Sequence, residues 1–275
     1  MIVKYLFSHL KEFEKFKNDP KTAVITDIDG TISQIASKPD EAVVTPEMGN
    51  ILTRLADKFK LVAVISGRPV RDAQKIVGVD NLLYVGSHGL EYMKNGKIHV
   101  EEEIERYVPI IKEVACKLEE EDSCNIEGVL FEDKGLCFSI HYRLCKEPEK
   151  AREIILDSLE DALKTTKNDN RCGNLKIKEG RKIVEIRPPI GYDKGTILEK
   201  ITSENHVEKL VYFGDDITDN DAFSKLNQLK CENKLDGESV LVLSEEIPDY
   251  LKKNVSFFVE DVDEVHKFFK WLLND

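Results

Sequence analysis

The stretch VITDIDGTIS, residues Val24 to Ser33, decides how the rest of the chain is read. A short apolar strand runs into two aspartates one residue apart, followed by a glycine. Residues i and i+2 of a strand point to the same side, so Asp27 and Asp29 are expected close together at its end. Carboxylates that close repel each other unless one is protonated or a cation lies beside them. The pattern marks a site.

Working outward, TAVITDID, KLVAVISG and NLLYVGSHG read as buried strands. Between them, PEMGNILTRLADKF and VRDAQKIVG have helical periodicity, the first opening on Pro46 and the second ending on a glycine. Apolar strands alternating with helices make a parallel sheet covered on both faces. The rhythm then changes. EYMKNGKIHVE reads as a hairpin turning at Asn95-Gly96, and a long helix is expected from Glu101 to Glu121. GVLFEDKG and LCFSIHYR form two strands, EPEKAREIILDSLEDALKTT a helix, and NLKIKEGRKIVEIRP a hairpin turning at Glu179-Gly180. The first rhythm resumes with helix KGTILEKITSEN, strand KLVYFGDD and helix ITDNDAFSKLNQ. SVLVLS and VSFFVE are further strands, and DVDEVHKFFKWLLND is a terminal helix. The expected fold class is α/β: a doubly wound, mostly parallel, Rossmann-like core sheet with an inserted smaller α+β domain. The discontinuous core covers 1–102 and 184–275, and the insert covers 103–183. The first twenty residues mix apolar and charged residues at helical spacing.

A net charge of −12 offers no basic excess for a general nucleic-acid binder, though a few local cations and a metal can still admit a small anion. No apolar run approaches ~18 residues, so no membrane span is expected. The start lacks a secretory leader's apolar region and cleavage site. Six cysteines, Cys116, Cys124, Cys137, Cys145, Cys172 and Cys231, form no C-x-x-C pair. Buried free thiols in a reducing cytoplasm are expected rather than zinc ligands.

Open parallel sheets bind ligands at the carboxyl ends of their strands. There stand Asp27, Asp29, Gly30 and Thr31; then Ser66, Gly67 and Arg68; then Ser87, His88, Gly89 and Glu91; then Asp215, Asp216 and Asp219. Lys194 opens a helix where the chain returns to the core. Oxygen-only ligands without His or Cys suit a hard cation, Mg²⁺ first. Taken singly, Asp216 or Asp219 could equally cap the following helix. Ser66 and Gly67 can offer a hydroxyl and backbone N–H groups to phosphate oxygens, and Gly30 and Arg68 are counted with them as substrate contacts.

The ordered set DIDGT, SG, a lysine and GDDITD resembles the haloacid dehalogenase superfamily of phosphotransferases. The resemblance implies that Asp27 attacks phosphorus and forms an aspartyl-phosphate, with Asp29 as acid and then base. It implies that Ser66 and Lys194 hold the phosphoryl group. Asp27, Asp215 and the Asp29 backbone carbonyl would bind Mg²⁺, with Asp216 and Asp219 in support. It further implies that the insert closes over the crevice as a cap that reads the leaving group.

Within the insert and at its border, FEDKG, SIHYR and VEIRP carry charged residues at alternate positions, which share a face. Sugar contacts and a solvated face are both open readings of these residues. GSHGLE, FEDKG, HYR, VEIRP, DKG and GDDITDNDAF together resemble the trehalose-6-phosphate phosphatase family over residues 22 to 224. That similarity implies sugar contacts from His88 and Glu91 on the core side and from Glu132, Lys134, His141, Arg143 and Glu185 on the cap side. Ile28 and Gln34 depart from the family pattern, as do Asn220 and Asp221, but no reacting group is missing. The expected reaction is hydrolysis of trehalose 6-phosphate, with a separate synthase supplying this small sugar-phosphate substrate. The alternatives are another sugar phosphate (sucrose phosphate, glucosylglycerol phosphate, mannosyl-phosphoglycerate) or a non-catalytic sugar-phosphate sensor.

Overall fold

The computed structural model describes residues 3–36, 38–94, 96–120, 126–166, 174–180, 182–244 and 251–275. The elements run β1 (Lys4–Tyr5), α1 (Leu10–Lys17), β2 (Thr22–Thr26), α2 (Pro46–Lys58), β3 (Leu61–Ile65), α3 (Val70–Val77), β4 (Leu83–Gly86), β5 (Glu91–Lys94) and β6 (Lys97–Val100). Then follow α4 (Glu102–Glu105), α5 (Val108–Glu120), β7 (Leu130–Asp133), β8 (Phe138–His141), α6 (Pro148–Thr165), β9 (Lys176–Gly180) and β10 (Ile183–Arg187). The chain closes with α7 (Lys194–Glu204), β11 (Lys209–Gly214), α8 (Asp219–Cys231), β12 (Asp236–Val242), β13 (Phe257–Val259) and α9 (Val262–Leu273).

The chain divides into two compact units, Met1–His99 with Tyr192–Asp275, and Val100–Gly191. In the first, the strand order is β1-β13-β12-β11-β2-β3-β4-β5-β6. Pairing is parallel from β1 through β4, and β5 turns back antiparallel to β4. Both faces are covered, which is why the central strands β2, β3, β4 and β11 are apolar along most of their length. Val24 of β2 and Val211 and Phe213 of β11 join one buried cluster with α1, α2, α3 and α9. Ala23, Ile25, Leu210 and Tyr212 face the other way, against α7 and α8. The expected doubly wound α/β sheet is thus present.

The second unit is a sheet of order β7-β8-β10-β9, antiparallel at each pairing. Phe138, Ile140, Val184 and Ile186 turn inward with Ile111 and Val114 of α5 and Ile155 and Leu159 of α6. Because β10 pairs with β8 and β9, this unit extends to Gly191, beyond the boundary at 183 expected from sequence.

Several local expectations need correction. The first residues are not all helical: Lys4 and Tyr5 pair with Phe257 and Phe258 at the sheet edge, where the Tyr5 hydroxyl donates to Glu264. The helix expected from Glu101 breaks between Glu105 and Val108, since Pro109 has no N–H to offer the Glu105 carbonyl and its ring would clash with it in a continuous helix. Its expected last residue, Glu121, lies outside the described residues. The second hairpin does not turn at Glu179-Gly180: these residues pair with Val184 and Ile183, and Lys182 has a positive φ, while Arg181 lies outside the described residues. Asn95 of the first hairpin lies outside the described residues, while Gly96 has a φ of +73°. Cys137 and Cys145 are buried free thiols, but Cys116 and Cys231 lie exposed on α5 and α8; Cys124 and Cys172 fall outside the described residues. No helix among the described residues is long and apolar enough to cross a membrane.

The α9 face is pinned by aromatic contacts. The Phe268 ring lies 5.1 Å from Phe13 and 5.5 Å from Phe213, centroid to centroid, and is fully buried. Phe268→Ala should cost about 3–5 kcal/mol of stability. A urea unfolding curve should show a lowered midpoint with an unchanged slope.

Candidate active site

The site grows from the end of β2, the strand held between β3 and β11. Asp27 stays in the ladder one residue past the strand, its N–H donating to the Phe213 carbonyl at 3.0 Å. The chain then turns sharply. Gly30 has a φ of +76°, its N–H donates to Ser33 O at 2.8 Å, and a side chain there would strike the Asp215 carboxylate. Glycine is therefore required by both conformation and space.

Lys194 opens α7, where Asp193 caps the helix by accepting the Thr196 N–H at 2.8 Å. Its side chain is 1% exposed, and its ammonium donates to Asp27 Oδ2 at 2.7 Å and to Asp219 Oδ1 at 2.8 Å. Asp219 has more partners still. Its Oδ1 also accepts the Tyr212 hydroxyl at 2.7 Å, and its Oδ2 accepts the N–H groups of Asp215 and Asp216, each at 3.1 Å. The capping reading therefore fails for Asp219: its carboxylate ties down the loop before the helix. Asp216 bonds locally, accepting the Ile217 N–H through Oδ1 at 2.5 Å. Tyr212 was missed from sequence, since an apolar strand gives no sign that one hydroxyl will be used.

Carboxylate oxygens of Asp27, Asp215 and Asp219 lie within 4.8 Å of one another, all buried. Burial pushes the Asp27 carboxyl up to about 7; Lys194 opposes this, while the charges of Asp219 and Asp29 add to it. Burial alone would pull Lys194 down, but Asp219 and Asp27 hold it well above its ordinary value. Three carboxylates face one ammonium, so the cluster is short of positive charge. Asp27 and Asp215 offer hard oxygen donors that fit a divalent cation. Asp219 already accepts four hydrogen bonds, which suits it to supporting such an ion rather than ligating it.

Asp29 lies beyond the strand, and its carboxylate is not part of this cluster. Its Oδ2 accepts Arg68 Nε at 2.6 Å and its Oδ1 accepts Arg68 Nη2 at 2.8 Å. The loop carrying Arg68 is clamped by the next loop of the sheet. Ser87 N–H donates to Arg68 O at 2.8 Å, and His88 N–H donates to Ser66 O at 2.9 Å. Glu91 Oε1 accepts the Val70 N–H at 2.9 Å and the Ser87 hydroxyl at 3.0 Å, joining the start of α3 to the end of β4. Burial raises the Glu91 carboxyl, against these hydrogen bonds. The His88 ring lies so close to Gly67 that a Cβ there would come within 2.5 Å of it. Ser66 is buried, its Oγ 3.3 Å from the Arg68 N–H.

The second unit carries its own polar cluster on the sheet face away from its helices. Glu185 Oε1 accepts from Lys134 Nζ at 3.0 Å, Ser139 Oγ at 2.9 Å and the Cys137 thiol at 3.7 Å, while Oε2 accepts from Arg187 Nε. His141 Nε2 and Glu132 Oε2 are 2.7 Å apart, and Lys134 lies 3.9 Å from the same oxygen. Burial would lower the Lys134 ammonium, but Glu185 and Glu132 hold it raised. Arg143 lies just past β8, half-buried. Of the expected sugar contacts on this side, four therefore form one network.

The raised Asp27 carboxyl predicts a sign for stability. The unfolded group ionises near pH 4, whereas the folded one holds its proton to about 7. The folded state thus binds more protons in that window, and its stability falls as pH rises through it. In chelator-treated protein, the unfolding free energy of wild type relative to Asp27→Asn should fall between pH 4 and 7. Excess divalent cation should flatten that slope.

The chain resembles known proteins over most of its length. A sequence model of the family described as Trehalose-phosphatase matches residues 25–259. Trehalose-phosphate phosphatase B of Arabidopsis thaliana is 30% identical over 285 residues, covering 97% of this chain and 71% of that protein. The trehalose-phosphate phosphatase of Mycobacterium avium (strain 104) is 35% identical over 209 residues, covering 73% of this chain and 50% of that protein. The solved C-terminal domain of the C. albicans trehalose-6-phosphate phosphatase shares the fold, with a TM-score of 0.77 at 18% identity over 100% of this chain and 98% of that one. The matched residues run from the end of β2 through the second unit to β13, and on that span the chain belongs to the trehalose-phosphatase family.

Proposed function

We propose that the chain hydrolyses trehalose 6-phosphate to trehalose and inorganic phosphate through an aspartyl-phosphate on Asp27. The family match supports the phosphoric monoester hydrolase class. The observation that carries the mechanism is the buried Asp27–Lys194–Asp219 network beside Asp215. An Asp27 oxygen bonds to phosphorus as the bond from phosphorus to the sugar oxygen breaks. Asp29 gives that oxygen a proton, then takes one from the water that releases phosphate and restores the Asp27 carboxylate.

Lys194, the Ser66 hydroxyl and the Gly67 backbone hold the phosphoryl oxygens, offsetting the repulsion between a carboxylate and a phosphate dianion. Asp27 and Asp215, with the Asp29 backbone carbonyl, would hold Mg²⁺, supported by Asp216 and Asp219. When bound, that ion supplies positive charge to the equatorial oxygens in transfer. Glu91, with His88, holds the loop that presents Ser66. Selectivity for the sugar belongs to the polar face of the second unit, through Glu132, Lys134, His141, Arg143 and Glu185. Paired donors and acceptors of this kind match a cluster of sugar hydroxyls. The free thiols of the described cysteines support a reducing, cytoplasmic setting.

Phosphate release should be measured with Mg²⁺ across a panel of sugar phosphates, with a chelator control. Trehalose 6-phosphate should be turned over best, and the chelator should abolish turnover. Asp27→Asn should lower kcat to background with the fold retained. Turnover in that variant would remove Asp27 from the chemistry, and tight binding without release by wild type would favour a sensor.

A further inference from the structure

Asp29 stands on a turn beyond β2, its side chain 36% exposed, outside the buried cluster that fixes Asp27. Among the described residues, its carboxylate has one hydrogen-bonding partner, and that partner takes both oxygens: the two-pronged guanidinium of Arg68. Arg68 is itself largely buried, at 14% side-chain exposure. Its backbone is held from both sides. Its N–H donates to Ser66 Oγ, and its carbonyl accepts the Ser87 N–H. Two residues on, the chain is anchored again, the Val70 N–H donating to the buried Glu91 carboxylate. Gly86 closes the arrangement, since a side chain there would meet the Val70 nitrogen and the Arg68 carbonyl.

A half-exposed carboxylate on a turn explores several rotamers unless something holds it. A planar fork with two parallel N–H groups fixes both position and plane, which a lysine ammonium cannot do. We propose that Arg68 is a positioning residue for the reaction: it acts through Asp29, aiming the acid–base carboxylate, rather than by binding the substrate's phosphoryl group. This rests on the acid–base role assigned to Asp29 above. Misplacing a reacting group by about 1 Å can cost on the order of 10²-fold in rate. The loss should be felt where a proton must be delivered, at the alkoxide oxygen of a sugar, and not where the leaving group departs unaided.

The test compares kcat/KM for trehalose 6-phosphate and for p-nitrophenyl phosphate, whose phenolate leaves without a proton. The proteins are wild type, Arg68→Ala, Arg68→Lys, Asp29→Ala and the double variant Arg68→Ala with Asp29→Ala, each checked for folding by circular dichroism. This ratio reports only the steps up to release of the leaving group. Arg68→Ala should lower it by about 10²-fold for the sugar phosphate, near the lower end of general acid contributions, and by less than about 5-fold for the aryl phosphate. Arg68→Lys should keep the charge but show the same selective loss. In the Asp29→Ala background, Arg68→Ala should add almost nothing. Equal losses on both substrates, or a full additional loss in that background, would overturn the proposal and make Arg68 a direct phosphate contact. If Asp29→Ala alone fails to distinguish the two substrates, the acid role of Asp29 falls, and the proposal with it.

Discussion

A lysine ammonium buried at the junction of three chain segments is the constraint on which the first unit depends. An unpaired ammonium in that position would cost several kcal/mol. Lys194 escapes this by standing between Asp27 and Asp219, each brought there by a different element. Asp27 arrives on β2, Asp219 at the start of α8, and Lys194 at the capped start of α7. Moving β2 by one residue in the ladder would turn its alternation over and leave the charges unmatched. The network is thus sensitive to register in a way that apolar packing alone is not.

Asp219 is the hub of this network, and Glu185 has the same function in the second unit. Each is a buried carboxylate whose two oxygens gather donors from several strands or turns. In both, the acceptor capacity is filled and the surrounding charges are held in a fixed arrangement. A fully satisfied buried polar network rigidifies its surroundings. The difference lies in the charge left over. Around Asp219, carboxylates outnumber ammonium groups. Around Glu185, the acids Glu185 and Glu132 are matched by Lys134 and Arg187.

Much of this was legible in the sequence. Strands covered on both faces are apolar along most of their length, so β2, β3, β4 and β11 announce themselves, and the polar and acidic residues after them locate the sheet's carboxyl end. Lys194 was legible because it opens a helix in order with the other groups. What escaped were interactions decided by distant partners. Lys4 and Tyr5 form a strand only because β13 offers an open edge, which local periodicity cannot report. Glu91 looks like a site residue in a motif, yet its carboxylate spans two loops as a structural tie. Arg68 reads as one more cation near a phosphate, and only the geometry reveals its fork on Asp29. The pairing of Gly180 and the helix break before Val108 were missed for a simpler reason: each is a shift of a residue or two, set by strand pairing and by proline sterics.

The discontinuity of the first unit bears on how the molecule is made. β3, on one side of β2, follows it closely in the chain, but the other neighbour of β2, β11, comes from beyond the entire Val100–Gly191 stretch. The N-terminal segment therefore waits with one edge of its central strand bare. Closing so long a loop is not in itself prohibitive, because the entropic cost grows only logarithmically, by about 0.6 kcal/mol per doubling. Contacts so far apart in sequence do slow folding, and they leave an apolar edge exposed to mispairing meanwhile. An insert that forms its own core soon after synthesis would shorten the effective loop to its two ends. On that account the second unit would contribute to the birth of the first: early folding of the interruption would bring the two halves of the sheet together.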